Sequence, residues 1–149
     1  YVVVYGGVLA DAALGAGGEV HGVIPRDLAD RELAHTELTR LDVVGSMGER
    51  KARMLDLAGM VVATPGGLGT WEEFLEALSH AQLGYHSKPL GLLNTCGYYD
   101  PFLKLLETCA DEGFMRKEFI SYVVVGDDPA ELLQKLEAYA APRVAKTFA

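Results

Sequence analysis

The feature that most narrows the fold is a series of short, continuously apolar runs. They are "YVVVY" (1–5), "EVHGVI" (19–24), "MVVAT" (60–64), "KPLGLLN" (88–94) and "SYVVVG" (121–126). A strand with one wet face alternates apolar and polar residues, whereas these runs offer no polar face and so read as strands buried on both sides. Helical patterns fill the intervals, at about 8–17, 46–58, 70–83, 101–113 and 128–140. Asp128-Pro129 supplies an N-cap and first-turn pair for the last of them. Strand alternating with helix predicts a parallel sheet with helices on both faces, a Rossmann-like α/β fold. One domain over residues 1–149 is expected, since that length suffices for a single core.

Such sheets bind ligands beyond the carboxyl ends of their strands. Three segments fall there: "YGG" after the first strand, "PRDLADRE" after the second and "PGGLG" after the third. A formal charge of −8 argues against nucleic acid as the partner. It leaves room for a small anion, provided that local positive charge or a helix N-terminus offsets the overall field. Cys96 and Cys109 are too few for a disulfide framework, and the four histidines lack metal-ligand spacing. No apolar run approaches the roughly 18 residues of a membrane span, and no secretion signal is visible, so the cytoplasm is the expected location. The chain opens on Tyr1 inside an apolar run, as a fragment of a longer protein would.

The "PGGLGTWEEF" stretch concentrates the chemistry. Glycines allow a sharp turn and close backbone approach, and the helix that follows brings unsatisfied N–H donors with partial positive charge. This composes a phosphate cradle, although the spacing is neither Walker A nor GxGxxG. A plain strand-to-helix turn fits the same glycines. Thr70-x-x-Glu73 also fits a capping box, with Thr70 as N-cap, and on this pattern alone capping is the stronger reading of Glu73. In "SMGERKARM", Arg50 lies three after Met47 and four before Met54, along an apolar stripe. There its guanidinium needs a carboxylate, a phosphate or another subunit, or else snorkels at the rim.

Taken together, "PGGLGTWEE" matches a PGGxGTxxE signature, and "MGERKARM" resembles the M-H-x-R-K segment that accompanies it. With "GEVHGVIPRDLADREL" and "AQLGYHSKPLGLLNTCGYYDPF", nearly the whole chain resembles the LONELY GUY cytokinin-activating enzymes, often mislabelled lysine decarboxylases. The resemblance implies a phosphoribohydrolase that splits the N-glycosidic bond of N6-substituted adenosine 5′-monophosphates without a cofactor. It implies a homodimer with sites near the interface. By position, Arg50 and Glu73 become the catalytic pair. Gly66, Gly67, Gly69 and Thr70 hold the phosphate, Arg50 and Lys51 contact the nucleotide, and Glu32, Pro65, Leu68 and Glu72 also line the substrate site.

Three departures accompany the likeness. Gly48 stands where the family has a histidine. An N-terminal strand and helix are absent, and a glycine-rich loop is expected between residues 7 and 8. A Rossmann-like nucleotide-binding module without catalysis, similar to molybdenum-cofactor carrier proteins, is the alternative. Lysine decarboxylation is disfavoured, because nothing here resembles a pyridoxal-phosphate site.

Overall fold

The computed structural model describes residues 2–5, 7–29 and 38–141. Every strand pairing among them is parallel, and helices intervene between strands. The α/β class read from the apolar runs is therefore correct. The single five-stranded sheet is not: among the described residues there are six strands, in one four-stranded and one two-stranded sheet. The chain divides into two compact units, one containing the first strand and residues from Gly59 on, the other running from the first helix to Ala58.

The larger unit holds β1 (Val2–Tyr5), β4 (Met60–Ala63), β5 (Leu90–Leu93) and β6 (Val123–Gly126), in the order β1-β4-β5-β6. Its helices are α4 (Leu68–Gln82), α5 (Asp100–Asp111) and α6 (Pro129–Glu137). Val62, Gly91 and Val124 stand side by side across three strands. Val62 and Val124 pack against Leu132 and Leu136 of α6. A Cβ on Gly91 would come within 2.9 Å of Leu136 and 3.1 Å of Leu132, so glycine here is what lets the helix lie close. Side chains alternate along a strand, so Val61, Ala63, Leu90 and Leu92 point the other way. All four are fully buried, which closes the second face. Stepping in one direction from β4 to β5 to β6, right-handed crossovers place α4 and α5 together on that face. An edge-on ring contact of Phe102 with Phe74 at 6.3 Å joins the two helices, and Tyr99 packs edge-on against Phe102 at 6.2 Å from the start of α5. The expected cap of α6 is present: an Asp128 carboxylate oxygen accepts from the N–H groups of Ala130 at 2.9 Å and Glu131 at 3.1 Å.

The smaller unit contains α1 (Gly7–Gly15), β2 (His21–Pro25), α2 (Arg26–Ala29), β3 (Arg40–Val44) and α3 (Met47–Leu57). Strand β3, "RLDVV", was not anticipated. Continuous apolarity marks the other strands, and Arg40 and Asp42 interrupt it here. The packing explains the interruption. Leu41 and Val43 are exposed, while Asp42 is turned toward α3 and β2, accepting from Arg53 Nε at 2.9 Å and lying 3.1 Å from His21 Nε2. Arg53 first, then His21 and Arg40, hold the Asp42 carboxyl below its ordinary value against the opposing effect of burial.

Candidate active site

After β4 the chain runs through Thr64-Pro65-Gly66 and enters α4 with Gly67 as the N-cap, in extended conformation. The first helical bond runs from Trp71 N to Gly67 O at 3.1 Å. The N–H groups of Leu68, Gly69 and Thr70 therefore precede the intrahelical ladder, and no side chain caps this end. Gly66 is a forced choice, because a Cβ there would meet Thr70 Oγ1 at 2.4 Å and Thr70 Cβ at 2.9 Å. Gly67 is different, since a Cβ on it would meet nothing within 4 Å.

This geometry overturns the capping box expected at Thr70 and Glu73. The helix begins two residues earlier than the apolar periodicity suggests, because Leu68 and Gly69 already take helical conformation. Thr70 is then the third helical residue instead of the N-cap, and Glu72 and Glu73 fall beyond the first turn. Glu72 is exposed. Glu73 is buried at 9% exposure and heads the core-facing stripe of Phe74, Ala77, Leu78 and Ala81. A buried carboxylate is costly unless it is paired or hydrogen-bonded.

The capping box of this chain lies elsewhere. At the start of α3, Ser46 Oγ accepts from Glu49 N at 3.2 Å and Glu49 Oε2 accepts from Gly45 N at 2.7 Å. The same helix carries Arg50 and Lys51, both half-buried. Arg50 Nε donates to Val23 O on β2 at 3.0 Å, and its Nη1 lies 3.6 Å from Met47 Sδ. The guanidinium stem is thus tied to the adjacent strand instead of lying loose along an apolar stripe, and no residue of α3 is fully buried. Gly48, at the second helical position, would present a Cβ only to Ser46 Oγ at 3.8 Å, so a side chain there is sterically admissible. Pro65 to Glu73 belong to the larger unit, Arg50 and Lys51 to the smaller, and Glu32 lies outside the described residues.

Residues 7–136 match the family model described as possible lysine decarboxylase. The chain belongs to this family. Among curated relatives it is 43% identical over 133 residues to the cytokinin riboside 5'-monophosphate phosphoribohydrolase LOG5 of Arabidopsis thaliana, covering 89% of this chain and 58% of the relative. It is 41% identical over 133 residues to the cytokinin riboside 5'-monophosphate phosphoribohydrolase LOG of Oryza sativa subsp. japonica, covering 89% of this chain and 55% of the relative. The chain therefore spans a little over half the length of these relatives.

One support of the glycine loop went unrecognised in the sequence of this family member. The turn after β5, "NTCGYYD", reaches the glycine loop through two tyrosines. Tyr99 OH donates to Thr64 O at 2.6 Å and Tyr98 OH donates to Gly66 O. Tyr99 is almost fully buried, and burial pushes its phenol up to about 12, so it remains a donor at any physiological pH. The buried Asn94 organises the turn, donating from Nδ2 to Asp100 Oδ1 at 2.8 Å and accepting from Tyr99 N at 2.7 Å through Oδ1. The available signal was the glycine-containing turn at a strand's carboxyl end.

Proposed function

We propose that the protein hydrolyses the N-glycosidic bond of N6-substituted adenosine 5′-monophosphates, releasing the free base and ribose 5-phosphate. The observation that carries this reading is the start of α4, where glycine-flanked N–H groups without a side-chain cap precede a buried carboxylate. The names of the curated relatives point to the same reaction. The N–H groups of residues 67–70 would hold the 5′-phosphate, with the helix N-terminus supplying partial positive charge. Anchoring the phosphate positions the ribose for reaction. As the bond from C1′ to the base nitrogen breaks, positive charge grows on the ribose ring. The Glu73 carboxylate would stabilise that charge or orient the attacking water, whose oxygen bonds to C1′ while a proton goes to the departing base. Arg50 is proposed as the catalytic partner of Glu73 and, with Lys51, as a nucleotide contact, and Glu32 and Glu72 as further substrate neighbours, on the strength of the motif. No cofactor enters this scheme.

The protein is also proposed to act as a two-fold homodimer in the cytoplasm. Leu68, Trp71 and Leu75 recur at helical spacing on α4 and are all exposed, an apolar stripe suited to a partner copy. Among the described residues, no helix is long and apolar enough to cross a membrane. Incubation with an N6-substituted AMP and chromatography of the products tests the activity. Free base and ribose 5-phosphate in equal amounts support it, and recovery of intact nucleotide refutes it. Sedimentation at micromolar concentration checks the dimer, which a monomer would exclude.

A further inference from the structure

We infer that Tyr98 is a positioning residue that sets the direction of the anion-binding N–H at Gly67. The inference rests on the functional reading above and concerns how its phosphate site is held in shape. A glycine-glycine peptide has unusually free torsions on both sides, so the plane between Gly66 and Gly67 can rotate at little steric cost. The peptide itself is planar and trans, which makes its C=O and N–H point in opposite directions. Whatever holds Gly66 O therefore aims Gly67 N–H. Tyr98 OH donates to that carbonyl. Rotation of the plane would break this bond and re-aim the Gly67 N–H.

The tyrosine is itself held firmly. Cys96 and Gly97 take left-handed conformations, at φ 54° and 70°, and turn the chain sharply after β5. Only glycine fits the second position, where a Cβ would meet Asp100 Oδ2 at 2.5 Å. Asn94 pins the turn to α5 through Asp100 and to β6 by donating from its N–H to Gly126 O at 2.8 Å. Tyr99 buries its ring and secures Thr64 O, and Tyr98 packs edge-on against it at 5.0 Å between centroids. Tyr98 is nonetheless 42% exposed, far more than a core anchor requires. Its ring is only part-buried, and its hydroxyl ties the turn after β5 to Gly66.

Tyr98→Phe removes the hydroxyl and keeps the ring. The loss of one hydrogen bond predicts a roughly 3- to 10-fold weaker hold on phosphate. The probe is ribose 5-phosphate, titrated calorimetrically into wild type and variant, alongside kinetics on an N6-substituted AMP. The expected result is a raised dissociation constant and a KM raised by a similar factor, with kcat and the melting temperature nearly unchanged, the pattern of lost uniform binding. Tyr98→Phe with wild-type affinity and KM would overturn the inference, as would a lowered melting temperature with no change in binding. If the wild type binds ribose 5-phosphate, and the variant binds it more weakly, but neither releases base, the positioning role stands and the hydrolase reading falls. A wild type that does not bind ribose 5-phosphate would overturn both.

Discussion

Helices α3 and α4 occupy equivalent places, each following a parallel strand through a short glycine-containing link, yet their first turns are built in opposite ways. At α3 the chain satisfies its own donors: Ser46 takes the N–H of Glu49, and Glu49 reaches back to Gly45. At α4 the N-cap is Gly67, which has no side chain to offer, and neither Glu72 nor Glu73 falls in the first turn. A self-capped helix start is complete on its own. One left to glycine keeps its N–H groups for something else, and phosphate is the anion that such an end suits best. The two glutamates express the same division, since Glu49 caps a helix start and Glu73 is a buried carboxylate beyond the first turn.

Exchanging each glutamate for glutamine is the sharpest way to test that division. Glutamine serves in a capping box, so Glu49→Gln should leave stability within a few tenths of a kcal/mol. Glu73→Gln keeps shape and loses charge, and turnover should fall by about two orders of magnitude or more, the size typical of electrostatic groups. Single-turnover release of base measures it. Equal and modest effects of the two substitutions would erase the distinction.

The helix ends themselves can be interchanged. A side chain at position 67 has open space, so Gly67→Ser should cap α4 internally and stabilise it by a few tenths of a kcal/mol, while weakening ribose 5-phosphate binding severalfold. Ser46→Ala should cost about 1 kcal/mol by removing an existing cap. Thermal melts and calorimetry read both. Tighter phosphate binding in Gly67→Ser would contradict the contrast.

The far end of α4 gives the smallest effect. His86 Nδ1 accepts from Lys88 N at 3.1 Å, so the proton sits on Nε2, 2.8 Å from Ala77 O. Burial first, then the Lys88 charge, lower its affinity for a second proton below the ordinary value of 6.5. The unfolded chain thus binds more protons in that window, and stability should be full above pH 6.5 and decline as pH falls below it. His86→Asn should flatten this slope in urea melts between about pH 7 and 5. An unchanged slope would show that His86 does not contribute.

Much of this was legible in the residues. Continuous apolar runs such as "MVVA" and "SYVVVG" disclosed doubly buried strands, and Asp128-Pro129 disclosed the start of α6. Strand β3 escaped because its packed position is an aspartate, satisfied by Arg53 and His21, which only tertiary contact reveals. The register of α4 escaped because Thr70-x-x-Glu73 and Ser46-x-x-Glu49 are the same pattern. Local sequence does not say which serine or threonine sits at a helix boundary when glycines can enter the first turn. The Tyr98 and Tyr99 contacts join residues 32 and 35 positions apart, a separation that no local motif reports.

The central claim is that the uncapped start of α4 recognises the 5′-phosphate and so delivers the ribose to Glu73. Its most direct test compares kcat/KM for an N6-substituted adenosine 5′-monophosphate with that for the corresponding riboside. Charge-assisted bonds to N–H groups are roughly twice as strong as neutral ones. A site built for a hydrogen-bonding group can reject the analogue lacking it by about 10⁴-fold. The monophosphate should therefore be cleaved and the riboside nearly ignored, with a ratio approaching that figure. Comparable efficiency on the two would contradict the account and make the glycine loop a turn between strand and helix.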